Sequence, residues 1–135
     1  DFKNVKVISF GIRNLSKAEM VFYKNNKNRI KIFWGKDKKN WNFNKITSLF
    51  KKKNVYITFD VDAFDASIMP ATGTPEPGGM LWEEVLMILK KVCKISNIIG
   101  VDINELAPIK NFNSYNFLVA KLTYKIMAYI FKFKR

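Results

Sequence analysis

Residues 55–79 read VYITFDVDAFDASIMPATGTPEPGG, and their interpretation decides the fold. Val55, Tyr56, Ile57 and Thr58 open a β-prone run that ends among three acids, Asp60, Asp62 and Asp65. Alternate residues of a strand share a face, so a strand through Asp62 places the Asp60 and Asp62 carboxylates on one side and Phe59 and Val61 on the other. The rise per residue sets the two carboxylates about 6–7 Å apart. They repel unless a cation lies between them, and a hard or borderline ion such as Mn²⁺ or Mg²⁺ is the natural counter-charge. The other reading is solvated turn chemistry with no ligand. Pro70, Gly73, Pro75, Pro77, Gly78 and Gly79 sustain neither a helix nor a central strand, so a long shaped loop must follow the acids. Loops at the carboxyl ends of strands in open α/β sheets are where ligands bind, and this weighs toward a site.

Around this stretch, strands and helices alternate. Residues 5–12, VKVISFGI, read as a buried strand whose exit carries Arg13, placed either to orient an acid or to be solvated. Ser16 with Glu19 three residues on forms a capping box, which predicts a short helix to about Asn25. Residues 30–34 form a second strand and 36–40 a polar turn. Phe43, Ile46, Leu49 and Phe50 make the apolar stripe of a helix over about 42–52, with the Lys51-Lys52-Lys53 run at its end complementing the dipole. The third strand is predicted over 55–62. A helix over 81–94 follows, with Glu83 and Glu84 in its first turn, lysines near its end and Leu81, Val85, Ile88, Leu89 and Val92 on its buried face. Residues 98–103, IIGVDI, make a fourth strand with Asp102 and Glu105 at its carboxyl end. Tyr115, Leu118, Val119, Leu122, Ile126, Tyr129 and Ile130 repeat at three- and four-residue spacing and predict a core helix over about 114–133. The alternation predicts an α/β fold of parallel βαβ units with right-handed crossovers. There is no internal repeat and no low-complexity linker.

Length and composition bound this reading. The 135 residues, 48% hydrophobic, suffice for one domain with a core. No apolar run approaches the roughly 18 residues of a membrane span, and the start lacks a signal-peptide layout, so a cytoplasmic protein is expected. The lone Cys93 has no internal disulfide partner and reads as a buried apolar residue. The net charge of +13 is unevenly placed: residues 1–54 carry +12, residues 55–109 carry −5 and residues 110–135 carry +6. Arg13, Arg29 and Arg135 are the only arginines, and arginine is the residue preferred for phosphate and base edges. A nucleic-acid module is therefore disfavoured. The acidic centre suits a metal and a cationic substrate.

The quoted stretch also resembles the signature of the ureohydrolases, the arginase and agmatinase family: Asp-x-Asp-x-x-Asp-Pro, then Thr-Gly-Thr-Pro and a Gly-Gly pair. Ala66 departs from it where the family has proline. FGIRN resembles the family's Gly-Ile-Arg element, which suggests a structural role for Arg13 beside the site. VDINELAP resembles its Asp-x-x-Glu-x-x-Pro element. The resemblance implies a three-layer arginase-like fold, a parallel sheet with flanking helices, present here in part: residues 1–135 as the carboxyl-terminal portion of a single ureohydrolase domain. It implies a binuclear Mn²⁺ centre with Asp60 and Asp62 among its ligands, Glu105 receiving the substrate guanidinium, and Thr74 as a second polar contact. In the complete family site two metals about 3.5–4 Å apart bridge a hydroxide that attacks the guanidinium carbon, releasing urea. Asp65 is expected to pin the loop through backbone N–H groups instead of touching metal.

The family's remaining ligands, aspartates and histidines from earlier motifs, are missing, and the sequence contains no histidine at all. No complete catalytic set lies in this chain. The leading expectation is a guanidino-compound hydrolase of agmatinase type, acting in polyamine metabolism on agmatine or a related small molecule, with little or no activity in this chain alone. The competing one is a non-catalytic remnant or interaction subunit that keeps the half-fold. The resemblance implies homo-oligomerisation at full length, while the composition and apolar run lengths lead to the expectation of no nucleic-acid or membrane partner.

Overall fold

A computed structural model describes residues 4–134. The elements follow as β1 (Val7–Ile12), α1 (Lys17–Asn25), β2 (Ile30–Trp34), α2 (Phe43–Thr47), β3 (Asn54–Asp60), α3 (Trp82–Ile95), β4 (Asn97–Asn104) and α4 (Ser114–Phe133). Short 3₁₀ segments cover Gly35–Asn40, Ser48–Phe50 and Val61–Ala63. The strands form two parallel pairs, β1 with β2 and β3 with β4, and no ladder joins the pairs among the described residues. Each partner is reached through an intervening helix, as a parallel pair requires.

Local chemistry explains most element ends. The Ser16 hydroxyl accepts from the Glu19 N–H (3.2 Å) and the Glu19 carboxylate accepts from the Ser16 N–H (2.7 Å), the capping box expected from sequence. At α3 the Glu84 carboxylate accepts the Leu81 N–H at 2.7 Å. Leu81 is thus the residue before the helix and 47% exposed, not part of its buried face as predicted. The single helix predicted over 42–52 is also corrected: α2 stops at Thr47 and tightens into a 3₁₀ turn. The Thr47 hydroxyl donates to the Phe43 carbonyl and the Ser48 hydroxyl to the Lys45 carbonyl, both at 2.7 Å, and such local bonds compete with helix propagation. Leu49 is left exposed, and Lys52 turns into the left-handed region at φ +56°.

The core lies between the β3–β4 pair and one helical layer. Ile57 and Phe59 of β3 meet Val85, Ile88, Leu89 and Val92 of α3 and Val119, Leu122 and Ile126 of α4. Phe10 of β1 packs against this cluster and stacks on Phe33 of β2 at 5.2 Å. Cys93 is buried, and burial pushes its thiol up to about 11, which makes it inert at neutral pH. No helix among the described residues is long and apolar enough to cross a membrane.

Candidate active site

The acids gather at the carboxyl ends of β3 and β4. The strand predicted through Asp62 ends at Asp60, and Val61–Ala63 forms a 3₁₀ turn. Asp60 and Asp62 therefore do not sit side by side on one strand face. The cause is local: the Asp60 carboxylate accepts the Asp62 N–H at 2.9 Å and caps the turn. Burial pushes the Asp60 carboxyl above the ordinary 3.8, against the hydrogen bond from Asp62, and the negative charges of Asp62 and Glu105 push it the same way as burial. Three carboxylates thus share one electrostatic field.

Thr74 reaches back from the loop and donates to the Asp62 carboxylate at 3.0 Å. This brings the four sequence-predicted site residues, Asp60, Asp62, Thr74 and Glu105, to one end of the strand pair. Glu105 leaves β4 with φ +65° and is exposed. The Ala107 N–H donates to the Ala71 carbonyl at 2.9 Å, which ties the Glu105 segment to the Thr74 loop.

Asp65 does pin the loop. Its carboxylate accepts the Ser67 hydroxyl at 2.5 Å, the Ser67 N–H at 3.0 Å, and the N–H groups of Gly78 and Gly79 at 2.7 and 3.0 Å. These bonds, the Ser67 hydroxyl foremost, lower its pKa from 3.8 to about 2. A depressed carboxyl stabilises the fold above its unfolded value and loses that contribution as pH falls through the folded one. In Asp65→Asn, an amide N–H₂ faces the glycine N–H donors. The thermal midpoint of wild type is expected to exceed that of Asp65→Asn at pH 5, with the gap closing as pH falls from 3.8 toward about 2. A gap independent of pH would refute the role.

Two contacts were not legible in the sequence. The Arg13 guanidinium donates to the Gly11 carbonyl at 2.8 Å and also to the Asp62 carbonyl. Arg13 therefore grips the main chain of the acidic turn instead of pairing with an acid, and it bridges the two strand pairs. Its side chain fits among Gly11, Gly35 and Gly78; a Cβ on Gly35 would lie 3.0 Å from Arg13 Cγ. Asp102 faces Thr58, whose hydroxyl donates to it at 2.8 Å, and Asn104. Thr58 and Asp102 are register partners in the β3–β4 ladder, so this pairing needed the strand alignment.

The donor chemistry suits a hard cation, but the donor count does not. Among the described residues no three His, Cys, Asp or Glu side chains gather closely enough to hold a metal. Asp60 and Asp62 can contribute to a metal centre but cannot complete the binuclear Mn²⁺ site that the resemblance implies.

Parallel strand pairs flanked by helices, with carboxylates at the carboxyl ends of β3 and β4, make an α/β arrangement of the kind that binds ligands at its strand ends. The sequence model of the arginase family matches residues 2–129, and the chain belongs to that family. It is 39% identical over 115 residues to the N(1)-aminopropylagmatine ureohydrolase of Synechocystis, covering 83% of this chain and 36% of that protein. It is 34% identical over 126 residues to the agmatinase of Pyrococcus horikoshii, covering 92% and 43% respectively. Among solved structures, the agmatine ureohydrolase of Thermoplasma volcanium superimposes with a TM-score of 0.78 at 29% identity, covering 93% of this chain and 42% of that one. The chain spans less than half the length of these relatives, and the fold is the arginase-like α/β fold in part.

Proposed function

We propose that this chain is the carboxyl-terminal portion of an agmatinase-type ureohydrolase, a metal-dependent enzyme that cleaves a guanidino compound to an amine and urea. The observation that carries the reading is the convergence of Asp60, Asp62, Thr74 and Glu105 at the carboxyl ends of β3 and β4. Asp60 and Asp62 contribute to a Mn²⁺ centre, which when bound supplies an activated water at neutral pH. Glu105 accepts paired N–H bonds from the planar guanidinium. Thr74 fixes the Asp62 carboxylate through its hydroxyl. Arg13 and Asp65 hold the turn and the loop that carry these groups.

A second reading, a non-catalytic remnant or interaction subunit, is favoured by the lack of histidine and by the incomplete donor set. Urea release from agmatine and from arginine, with and without Mn²⁺, separates the two. The chain alone is expected to give none. The chain co-expressed with the amino-terminal portion of the Pyrococcus horikoshii agmatinase is expected to release urea from agmatine in the presence of Mn²⁺, and Glu105→Gln to reduce that rate by at least ~100-fold. An assembled complex that binds Mn²⁺ and releases no urea from either compound would sink the catalytic reading.

A further inference from the structure

We infer that the cavity at the carboxyl ends of β1 and β2 binds a small organic phosphate, its charged head on Lys36 and Lys39 and its apolar body against Trp34. The cavity measures about 530 Å³, within the roughly 300–1,000 Å³ of small-molecule sites. None of Asp60, Asp62, Thr74 and Glu105 lines it. The carboxyl ends of parallel strands are where such folds take their ligands, and β1 and β2 present a second such end beside that of β3 and β4.

The walls are of two kinds. Arg13, Lys36, Lys38 and Lys39 form the charged part, and no acid is among the lining residues. Ile12, Met20 and Trp34 supply the apolar part. Two of the four cations are already engaged: Arg13 donates to the Gly11 and Asp62 carbonyls, and Lys38 donates to the Gly79 carbonyl at 2.7 Å and pairs with Glu84 at 3.1 Å. Lys36 and Lys39 are exposed and have no hydrogen-bond or ion-pair partner among the described residues. They stand three apart in the 3₁₀ segment Gly35–Asn40, where side chains at that spacing eclipse, so both rise from the same side. Asp37, the acid of that segment, lies about 120° round the turn from Lys36 at three residues per turn. Like charges on one side repel, and an anion between them relieves the repulsion.

The state of Arg13 decides the head group. A carboxylate is best matched by a free guanidinium fork, and both terminal nitrogens of Arg13 already serve main-chain carbonyls. Lysines act as point charges, and two of them suit a phosphate group, which carries about −1.5 to −2 at neutral pH, better than a monoanion. The phosphate needs an apolar body, because a bare ion would leave Ile12, Met20 and Trp34 uncovered. This inference rests on no assumption about catalysis.

The test titrates the chain with phenyl phosphate, benzoate and inorganic phosphate by isothermal calorimetry at low salt. Phenyl phosphate is expected to saturate one site with a Kd below about 1 mM. Benzoate, the same ring with a single charge, and inorganic phosphate, the same head without a ring, are each expected to bind at least ~5-fold more weakly. Replacing both lysines, Lys36→Gln with Lys39→Gln, is expected to weaken phenyl phosphate at least ~10-fold. Because both lysines are exposed, circular dichroism and the thermal midpoint should not change. Lys90→Gln with Lys94→Gln removes the same charge from exposed positions near the end of α3 and is expected to leave the affinity as it was. Three results would overturn the inference: no saturable binding of phenyl phosphate, equal losses from the two lysine pairs, which would mean diffuse attraction to a net charge of +13, or benzoate or inorganic phosphate binding as tightly as phenyl phosphate.

Discussion

Gly79→Ala is expected to disrupt the loop over the acidic turn and to lower stability by at least about 3 kcal/mol, the upper end of what overpacking costs. A Cβ at this position would lie 2.4 Å from the Phe64 carbonyl oxygen and 2.5 Å from the Asp65 nitrogen. Both are backbone atoms, and neither is free to retreat. The Asp65 N–H donates to the Met80 carbonyl and the Met80 N–H to the Ala63 carbonyl, each at 2.9 Å. The Gly79 N–H is itself held by the Asp65 carboxylate, and the Gly79 carbonyl by Lys38 at 2.7 Å. Relief of the clash therefore means breaking a bridge that fixes where Asp62 and Thr74 meet. Urea denaturation gives the stability change, and amide exchange at Gly78, Gly79 and Met80 shows whether the loop has come away. Native exchange at these amides with an unchanged midpoint would contradict the packing described.

Phe64→Ala is expected to cost about 3–5 kcal/mol, the range for emptying a buried aromatic site. Phe64 is 1% exposed, 5.3 Å from the Phe59 ring and stacked on Trp82 at 6.0 Å. It is the point where the acidic turn, the returning loop and the first turn of α3 share one packing contact. A domain with about 5–15 kcal/mol in total would lose much of its margin, and the denaturation midpoint should fall with an unchanged slope. A loss below about 1 kcal/mol would mean that neighbouring side chains fill the space, contrary to the close packing of cores.

Periodicity and capping made most elements readable. Ser16 and Glu19 bound α1, the three- and four-residue repeat from Tyr115 to Ile130 bounded α4, and both depend on neighbours within one or two turns. The failures came where a side chain bonded its own backbone. Asp60 caps the turn that Asp62 enters, and Thr47 and Ser48 tie up carbonyls that α2 would have used. A hydrophobic pattern is blind to such bonds. The candidate site residues could be named from sequence because they lie in short contiguous motifs, and the structure brings them to one end of the β3–β4 pair. The Arg13 grip on the Asp62 carbonyl spans 49 positions and belongs to the tertiary fold, so no local signal announced its target.

That grip bears on how the molecule comes apart. The two strand pairs share side-chain packing and the Arg13 bridge but no ladder of backbone bonds among the described residues. Ladder bonds make neighbouring strands open together, whereas side-chain contacts let one unit loosen while the other persists. β3, α3, α4 and the 61–80 segment between β3 and α3 supply the buried residues of the hydrophobic core cluster, while α1 buries none. The cooperative unit that outlasts partial unfolding is therefore the one that carries Asp60, Asp62 and Glu105. The β1–β2 pair can breathe against it, with Arg13 as the joint between a durable half and a yielding one.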